Sequence, residues 1–212
     1  MKEYNTYIFD LDGTLLNTLD DLAASTNYAL RCYGFPERTT EEVRLFVGNG
    51  VRKLMERAIP KETDPKIFEE VFSTFQQHYL EHSLDTTKPY PGVLEMLDGL
   101  KQRGKHLAVV SNKFYAATKE LCAHFFNQIE VAIGERSNIQ KKPAPDTVIE
   151  ALRQLGVSSE NAVYIGDSDV DVMTAKNCGI PCISVLWGFR NKEFLLQHGA
   201  TTFIQTPSEL LF

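Results

Sequence analysis

The chain has 212 residues, 43% hydrophobic and 24% charged, with a formal net charge of −6. That size fits one sizeable domain or a core carrying a smaller one, and the acidic balance argues against nucleic acid or an anionic membrane as the main partner. No run is apolar and long enough for a membrane helix, Met1-Lys2-Glu3-Tyr4-Asn5 does not read as a signal peptide, and the scattered Cys32, Cys122, Cys178 and Cys182 complete no zinc site.

Tyr7-Ile8-Phe9 reads as a short buried strand that runs straight into Asp10 and Asp12, after which Gly13 permits a sharp turn. In extended chain the two carboxylates share a face. Like charges that close call for a cation, a shared proton or strong donors; on its own, the pair also reads as a polar Asp-Gly turn. Thr18 is placed as the N-cap of a helix with Asp20 and Asp21 in its first turn, carried by Leu19, Leu22, Ala23, Thr26, Ala29, Leu30 and Tyr33 and stopped by Gly34 and Pro36. A short helix opens at Thr39, breaks at Gly48-Asn49-Gly50 and resumes over Val51 to Ala58. A longer one runs from Pro65 to about Ser83. No strand is expected between Thr18 and Leu84.

From Pro91 the pattern alternates. Helices are expected from Val93 to Gly104, Tyr115 to Phe125, Asp146 to Leu155, Val170 to Cys178 and Phe194 to His198. Strands are expected at Leu107 to Val110, Ile129 to Ile133, Ala162 to Ile165, Pro181 to Val185 and Thr202 to Ile204. Such alternation predicts an α/β fold: a doubly wound parallel sheet with helices on both faces, Rossmann-like, with the helical block inserted after the first strand. The boundaries place the core at residues 1–16 and 85–212 and the helical cap at 17–84.

In such a sheet ligands sit beyond the carboxyl ends of the strands. Those ends carry Asp10, Asp12 and Thr14; Ser111, Asn112 and Lys113; Lys141 and Lys142, in a loop; and Asp167, Ser168, Asp169 and Asp171. Acids on two strand ends suit a hard cation such as Mg²⁺, and a hydroxyl, an amide and an ammonium suit phosphate oxygens. Together they describe phosphoryl transfer.

The segments Asp10-Leu11-Asp12-Gly13-Thr14-Leu15, Val110-Ser111-Asn112, Lys142-Pro143-Ala144-Pro145 and Gly166-Asp167-Ser168-x-x-Asp171 resemble, in order and spacing, the four signature motifs of the haloacid dehalogenase superfamily. The dehalogenases themselves lack an aspartate at the position of Asp12, so the resemblance implies a phosphatase or phosphomutase. It implies Asp10 as the nucleophile that forms an aspartyl-phosphate and Asp12 as general acid and base. It also implies Mg²⁺ held by Asp10, Asp167 and the Asp12 backbone carbonyl, with Asp171 orienting the metal's shell. Ser111 and Lys142 would bind the transferring phosphoryl group, Asn112 would add a donor, and Thr14 is grouped with them, bracing the nucleophile loop. Asp169 reads as a first-turn acid, and Lys113 and Lys141 as solvated.

Substrate choice is expected in the cap. Phe46-Val47-Gly48-Asn49-Gly50-Val51-Arg52 resembles the substrate-facing loop of phosphoglycolate phosphatases, with Asn49 beside a small anion and Arg52 in reach of a carboxylate or second phosphate. It reads equally as a helix-to-helix turn with an exposed Arg. Asn17-Thr18 stands where many relatives carry Asp-Ser or Asp-Thr, which speaks against a sugar-phosphate mutase. His78 and His82 read as surface or packing residues, and Trp187-Gly188-Phe189 as loop packing. The expected activity is a Mg²⁺-dependent phosphomonoesterase on a small phosphorylated metabolite, most like phosphoglycolate, in a cytoplasmic monomer or homodimer. A pyrophosphatase, nucleotidase or sugar-phosphate phosphatase is the alternative within the family, and a phospho-acceptor signalling module outside it.

Overall fold

The computed structural model describes residues 3–212; Met1 and Lys2, part of the N-terminal stretch read above, lie outside the described residues. In chain order the elements are β1 (Thr6–Phe9), β2 (Leu16–Asn17), α1 (Leu19–Cys32), α2 (Thr40–Phe46), α3 (Val51–Ala58), α4 (Pro65–His82), β3 (Lys88–Pro89), α5 (Val93–Gln102), β4 (His106–Phe114), α6 (Tyr115–Phe125), β5 (Val131–Glu135), α7 (Asp146–Leu155), β6 (Ala162–Gly166), α8 (Asp169–Cys178), β7 (Cys182–Val185), α9 (Lys192–Gln197) and β8 (Phe203–Ile204). The chain divides into two compact units, Met1–Asn17 with Pro89–Phe212, and Thr18–Lys88.

The first unit is a six-stranded sheet in the order β5-β4-β1-β6-β7-β8, with every pairing parallel. β1 lies between β4 and β6, and Phe9 is in register with Val109 on one side and Ile165 on the other. The chain order therefore reverses at β1, where a doubly wound sheet opens its ligand crevice. Ile8, Ala108, Val110 and Tyr164 pack under Val148, Ala151 and Leu152 of α7 and Ala175 of α8. The alternate positions Tyr7, Phe9, Val109, Val163 and Ile165 are buried as well. Burial on both faces is what a parallel sheet needs, and it explains the unbroken apolar runs.

β4 runs past the expected Val110 to Phe114, with a register shift against β5 between those two residues. Such a shift re-aims the side chains it carries, so Ser111, Asn112 and Lys113 belong to the strand rather than follow it. β5 begins at Val131, two residues later than expected, and runs to Glu135. A 3₁₀ turn over Pro207–Leu211 was not expected, although Thr206 and Glu209 form a capping box there and Thr206-Pro207-Ser208-Glu209 carries its signature.

The second unit is helical, as expected, with α1 packed along α4 and Leu22, Ala29, Leu30, Val71, Phe75 and Tyr79 buried. Thr18 occupies the N-cap position of α1 without a side-chain cap bond. Asp21 is more than a dipole partner: its buried carboxylate accepts from Thr86 N at 3.0 Å and Thr87 N at 2.9 Å. That bond keeps Thr86 and Thr87 in the helical unit, whose boundary falls after Lys88 rather than at the expected 84.

Candidate active site

The carboxyl end of β1 delivers Asp10, whose N–H donates to the Ile165 carbonyl at 2.9 Å and so extends the pairing with β6. One residue beyond β6 stands Asp167, and Asp171 lies in the first turn of α8. Oxygen atoms of Asp10, Asp167 and Asp171 gather within 4.8 Å of one another, and all three residues are buried. One ammonium stands among them: Lys142 Nζ lies 2.8 Å from Asp10 Oδ1 and 2.8 Å from Asp171 Oδ1. Its third N–H donates to the Tyr164 hydroxyl at 3.0 Å. All three N–H groups of the ammonium are thereby engaged.

The charges do not balance, and burial shifts the carboxyl groups accordingly. Burial, then the charge of Asp171, holds the Asp10 carboxyl well above the ordinary carboxylate range, against the pull of Lys142. Burial and Asp171 push Asp167 up to about 7, although the Phe189 N–H and Arg190 oppose them. Burial alone would lower Lys142, but Asp10 and Asp171 raise it further still. Three buried acids against one ammonium are electrostatically incomplete, and hard oxygen donors in that state fit a divalent cation such as Mg²⁺.

The backbone is shaped to bring these acids together. Gly13 has φ +85°, and a Cβ there would stand 2.4 Å from Asp167 Oδ2. A Cβ on Gly188 would stand 2.3 Å from Asp167 Cβ and 2.4 Å from the Gly13 carbonyl. Neither space admits a side chain. The Trp187-Gly188-Phe189 loop, read from sequence as packing, does more: Phe189 N donates to Asp167 Oδ2 at 2.7 Å and Trp187 Nε1 donates to the Thr14 carbonyl at 3.0 Å.

The remaining expected residues divide. Asp171 closes the capping box of α8, accepting from Ser168 N and Oγ. The Thr14 hydroxyl is given to Asp167 Oδ1 at 3.3 Å, so it braces an acid and is not offered to a phosphate. Asn112 Nδ2 donates one of its two N–H groups to the Lys142 carbonyl at 2.9 Å and so fixes the lysine's backbone. Ser111 is buried and its Oγ accepts from Lys113 N at 3.2 Å, which leaves the hydroxyl hydrogen for another acceptor. Asp12 stands outside the acid cluster: Lys113 Nζ lies 2.9 and 3.1 Å from its two oxygens. Lys113 is fully buried, which corrects its reading as a solvated lysine; a run of Ser-Asn-Lys alone holds no sign of that partner. Lys141 pairs with Glu135 at 3.1 Å and stays part-exposed. Tyr164 was missed as well, since it sits in an apolar strand and only its hydroxyl, 3.1 Å from Asp171 Oδ1, joins the site.

Within the helical unit, Asn49 Oδ1 accepts from Arg57 Nη2 at 2.6 Å. Arg52 forks onto Glu69 with two bonds of 2.8 Å and lies over the Phe72 ring. The side chains expected to meet a substrate thus hold duties inside their own unit. His78 stacks on Tyr28 and His82 and meets Ser25 Oγ at 3.0 Å, a packing role as expected.

Residues 7–185 match the family model described as haloacid dehalogenase-like hydrolase. A phosphoglycolate phosphatase of Aquifex aeolicus is 35% identical over 86% of this chain and 84% of its own length. One from Colwellia psychrerythraea is 32% identical over 100% of this chain and 97% of its own. A crystal structure of a candidate phosphoglycolate phosphatase from Lactobacillus delbrueckii subsp. bulgaricus superposes with a TM-score of 0.94 at 36% identity, covering 99% of this chain and 98% of that one. The order of the motifs, the switch point at β1 and these likenesses agree: the chain belongs to the haloacid dehalogenase-like hydrolases and is a phosphatase of that family.

Proposed function

We propose that the protein hydrolyses a small phosphomonoester, phosphoglycolate in the first place, through an aspartyl-phosphate on Asp10 with Mg²⁺ as cofactor. The observation that carries this reading is the cluster of Asp10, Asp167 and Asp171 with a single ammonium among them. The substrate rests on the relatives that bear the name phosphoglycolate phosphatase across nearly the full length of the chain. Asp10, Asp167 and the Asp12 main-chain carbonyl would hold the ion, with Asp171 orienting its shell; bound there, it neutralises charge so that one anion can approach another.

An Asp10 oxygen attacks phosphorus, and the bond to the leaving oxygen breaks as an acyl phosphate forms. Asp12 gives its proton to the leaving oxygen and then takes one from the water that cleaves the acyl phosphate. The Ser111 hydroxyl donates to a phosphoryl oxygen, and Lys142 exchanges its bond to Asp10 for one to the incoming group. Among the described residues no helix is long and apolar enough to cross a membrane. A small phosphorylated metabolite is the partner proposed for this site, and a monomer or homodimer in the cytoplasm is the setting proposed for it.

A panel of phosphoglycolate, sugar phosphates, nucleotides and pyrophosphate, assayed for released phosphate with Mg²⁺ and with a chelator, tests this reading. Phosphoglycolate should be turned over fastest, and the chelator should silence every reaction. Comparable slow rates across the panel would overturn the substrate, and undiminished rates in chelator would overturn the cofactor.

A further inference from the structure

We propose that Lys113 is a positioning residue for Asp12, fixing that carboxylate in the orientation from which it passes a proton to the leaving oxygen. The proposal rests on the reading of Asp12 as acid and base. Two carboxylate–ammonium groups stand at the strand ends. Asp10 and Asp171 share Lys142, whereas Asp12 pairs with Lys113, with both carboxylate oxygens within 3.1 Å of Nζ. The Lys113 side chain is 0% exposed and that of Asp12 15%, so the acid is open to solvent and the ammonium behind it is not. Burying an ammonium is costly, and losing its partner more so, which makes a fully buried lysine gripping both oxygens of a carboxylate a device with a purpose.

The lysine is itself held. The register shift of β4 aims residues 111–114, Lys113 N donates to Ser111 Oγ at 3.2 Å, and Thr118 Oγ1 donates to the Lys113 carbonyl at 3.2 Å. β5 crosses so close that a Cβ on Gly134 would stand 2.9 Å from that carbonyl. A rigid backbone carries Nζ to Asp12, and the two-oxygen grip sets the plane of the carboxyl group while each oxygen keeps a lone pair for other partners.

In the first half-reaction the bond from Asp10 to phosphorus forms and the bond to the leaving oxygen breaks. The proton on an Asp12 oxygen moves to that leaving oxygen. An alkoxide needs the proton, whereas a nitrophenolate leaves without it. A misplaced Asp12 should therefore harm alkyl esters selectively, and a general loss of structure should harm both kinds equally.

The experiment compares kcat/KM for phosphoglycolate and for p-nitrophenyl phosphate in wild type, Lys113→Met, Lys113→Arg and Asp12→Asn. Lys113→Met should lower the phosphoglycolate value about 100-fold and the aryl value less than about fivefold. Lys113→Arg keeps the buried charge but shifts it, and should show the same selectivity at about tenfold; it decides the matter if the Met variant does not fold. Equal losses on both esters, or no loss, in the folded variants would overturn the role of Lys113. If Asp12→Asn itself loses both activities equally, the acid reading of Asp12 fails, and this proposal with it; a selective Asp12→Asn beside an unselective lysine variant overturns the lysine's role alone.

Discussion

Replacing Asp167 by Asn should stabilise the metal-free protein while removing its response to Mg²⁺. Burial first, and the charge of Asp171 second, raise the Asp167 carboxyl from the ordinary 3.8 to about 7. A native state that holds a proton which the unfolded chain has released loses stability as pH rises between those values. At pH 8 the ionised group costs about 4 kcal/mol. The amide of Asn still accepts from Phe189 N, at a loss of about 1 kcal/mol against a charged acceptor. The net gain at pH 8 is then about 3 kcal/mol, or about 6–12 °C in Tm for a chain of this size, and it falls below about 1 kcal/mol at pH 5. Thermal denaturation of both proteins at pH 5 to 8, in chelator and in millimolar Mg²⁺, measures it. Mg²⁺ should raise the Tm of the wild type most at pH 8 and leave the variant unmoved. A variant less stable than wild type at pH 8 in chelator, or a gain that does not grow with pH, would refute the charge argument.

Other perturbations read different parts of the structure. Gly188→Ala drives a Cβ to within 2.3 Å of the Asp167 side chain; it should cost about 2 kcal/mol or more in denaturant unfolding and abolish turnover, and an active variant would show that the loop has slack. Asp21→Ala leaves the Thr86 and Thr87 N–H groups without their acceptor, so it should destabilise the helical unit by about 2–3 kcal/mol, seen as faster hydrogen exchange at residues 86 and 87; unchanged exchange there would contradict it. Trp187 is the single tryptophan, and its indole N–H donates to the Thr14 carbonyl. Its emission should change on titration with Mg²⁺ in the wild type and stay constant in Asp167→Asn, and a change in both would mean that the ion binds elsewhere.

The acids of the candidate site were legible because they lie where local rules operate. Asp10 and Asp12 end a buried strand before a glycine, and Asp167 and Asp171 open a helix, so sequence spacing alone set them on the same edge of the sheet. What sequence left unread depends on contacts between distant elements. Lys113 looks like any polar residue after a strand until the register shift of β4 swings it under Asp12. Thr14 and Asn112 also take up bonds that a local pattern does not show, the hydroxyl to Asp167 and one amide N–H to the Lys142 carbonyl. Tyr164 counts as apolar in a strand pattern, while its hydroxyl stands between Lys142 and Asp171. Asp21 was read as a helix-dipole acid because its true partners, Thr86 and Thr87, lie far along the chain. Arg52 and Asn49, in a loop that reads either as substrate-facing or as a plain turn, are bonded to Glu69 and Arg57, partners that lie beyond the reach of the loop pattern.

The central claim is that Asp10 becomes covalently phosphorylated, and trapping that group tests it most directly. Enzyme mixed with ³²P-labelled phosphoglycolate and Mg²⁺, then quenched in acid within milliseconds, should retain label on a peptide containing Asp10, and hydroxylamine should release it. Asp10→Asn should retain none and turn over no substrate. Label on another residue, or near-normal turnover by Asp10→Asn, would contradict the account.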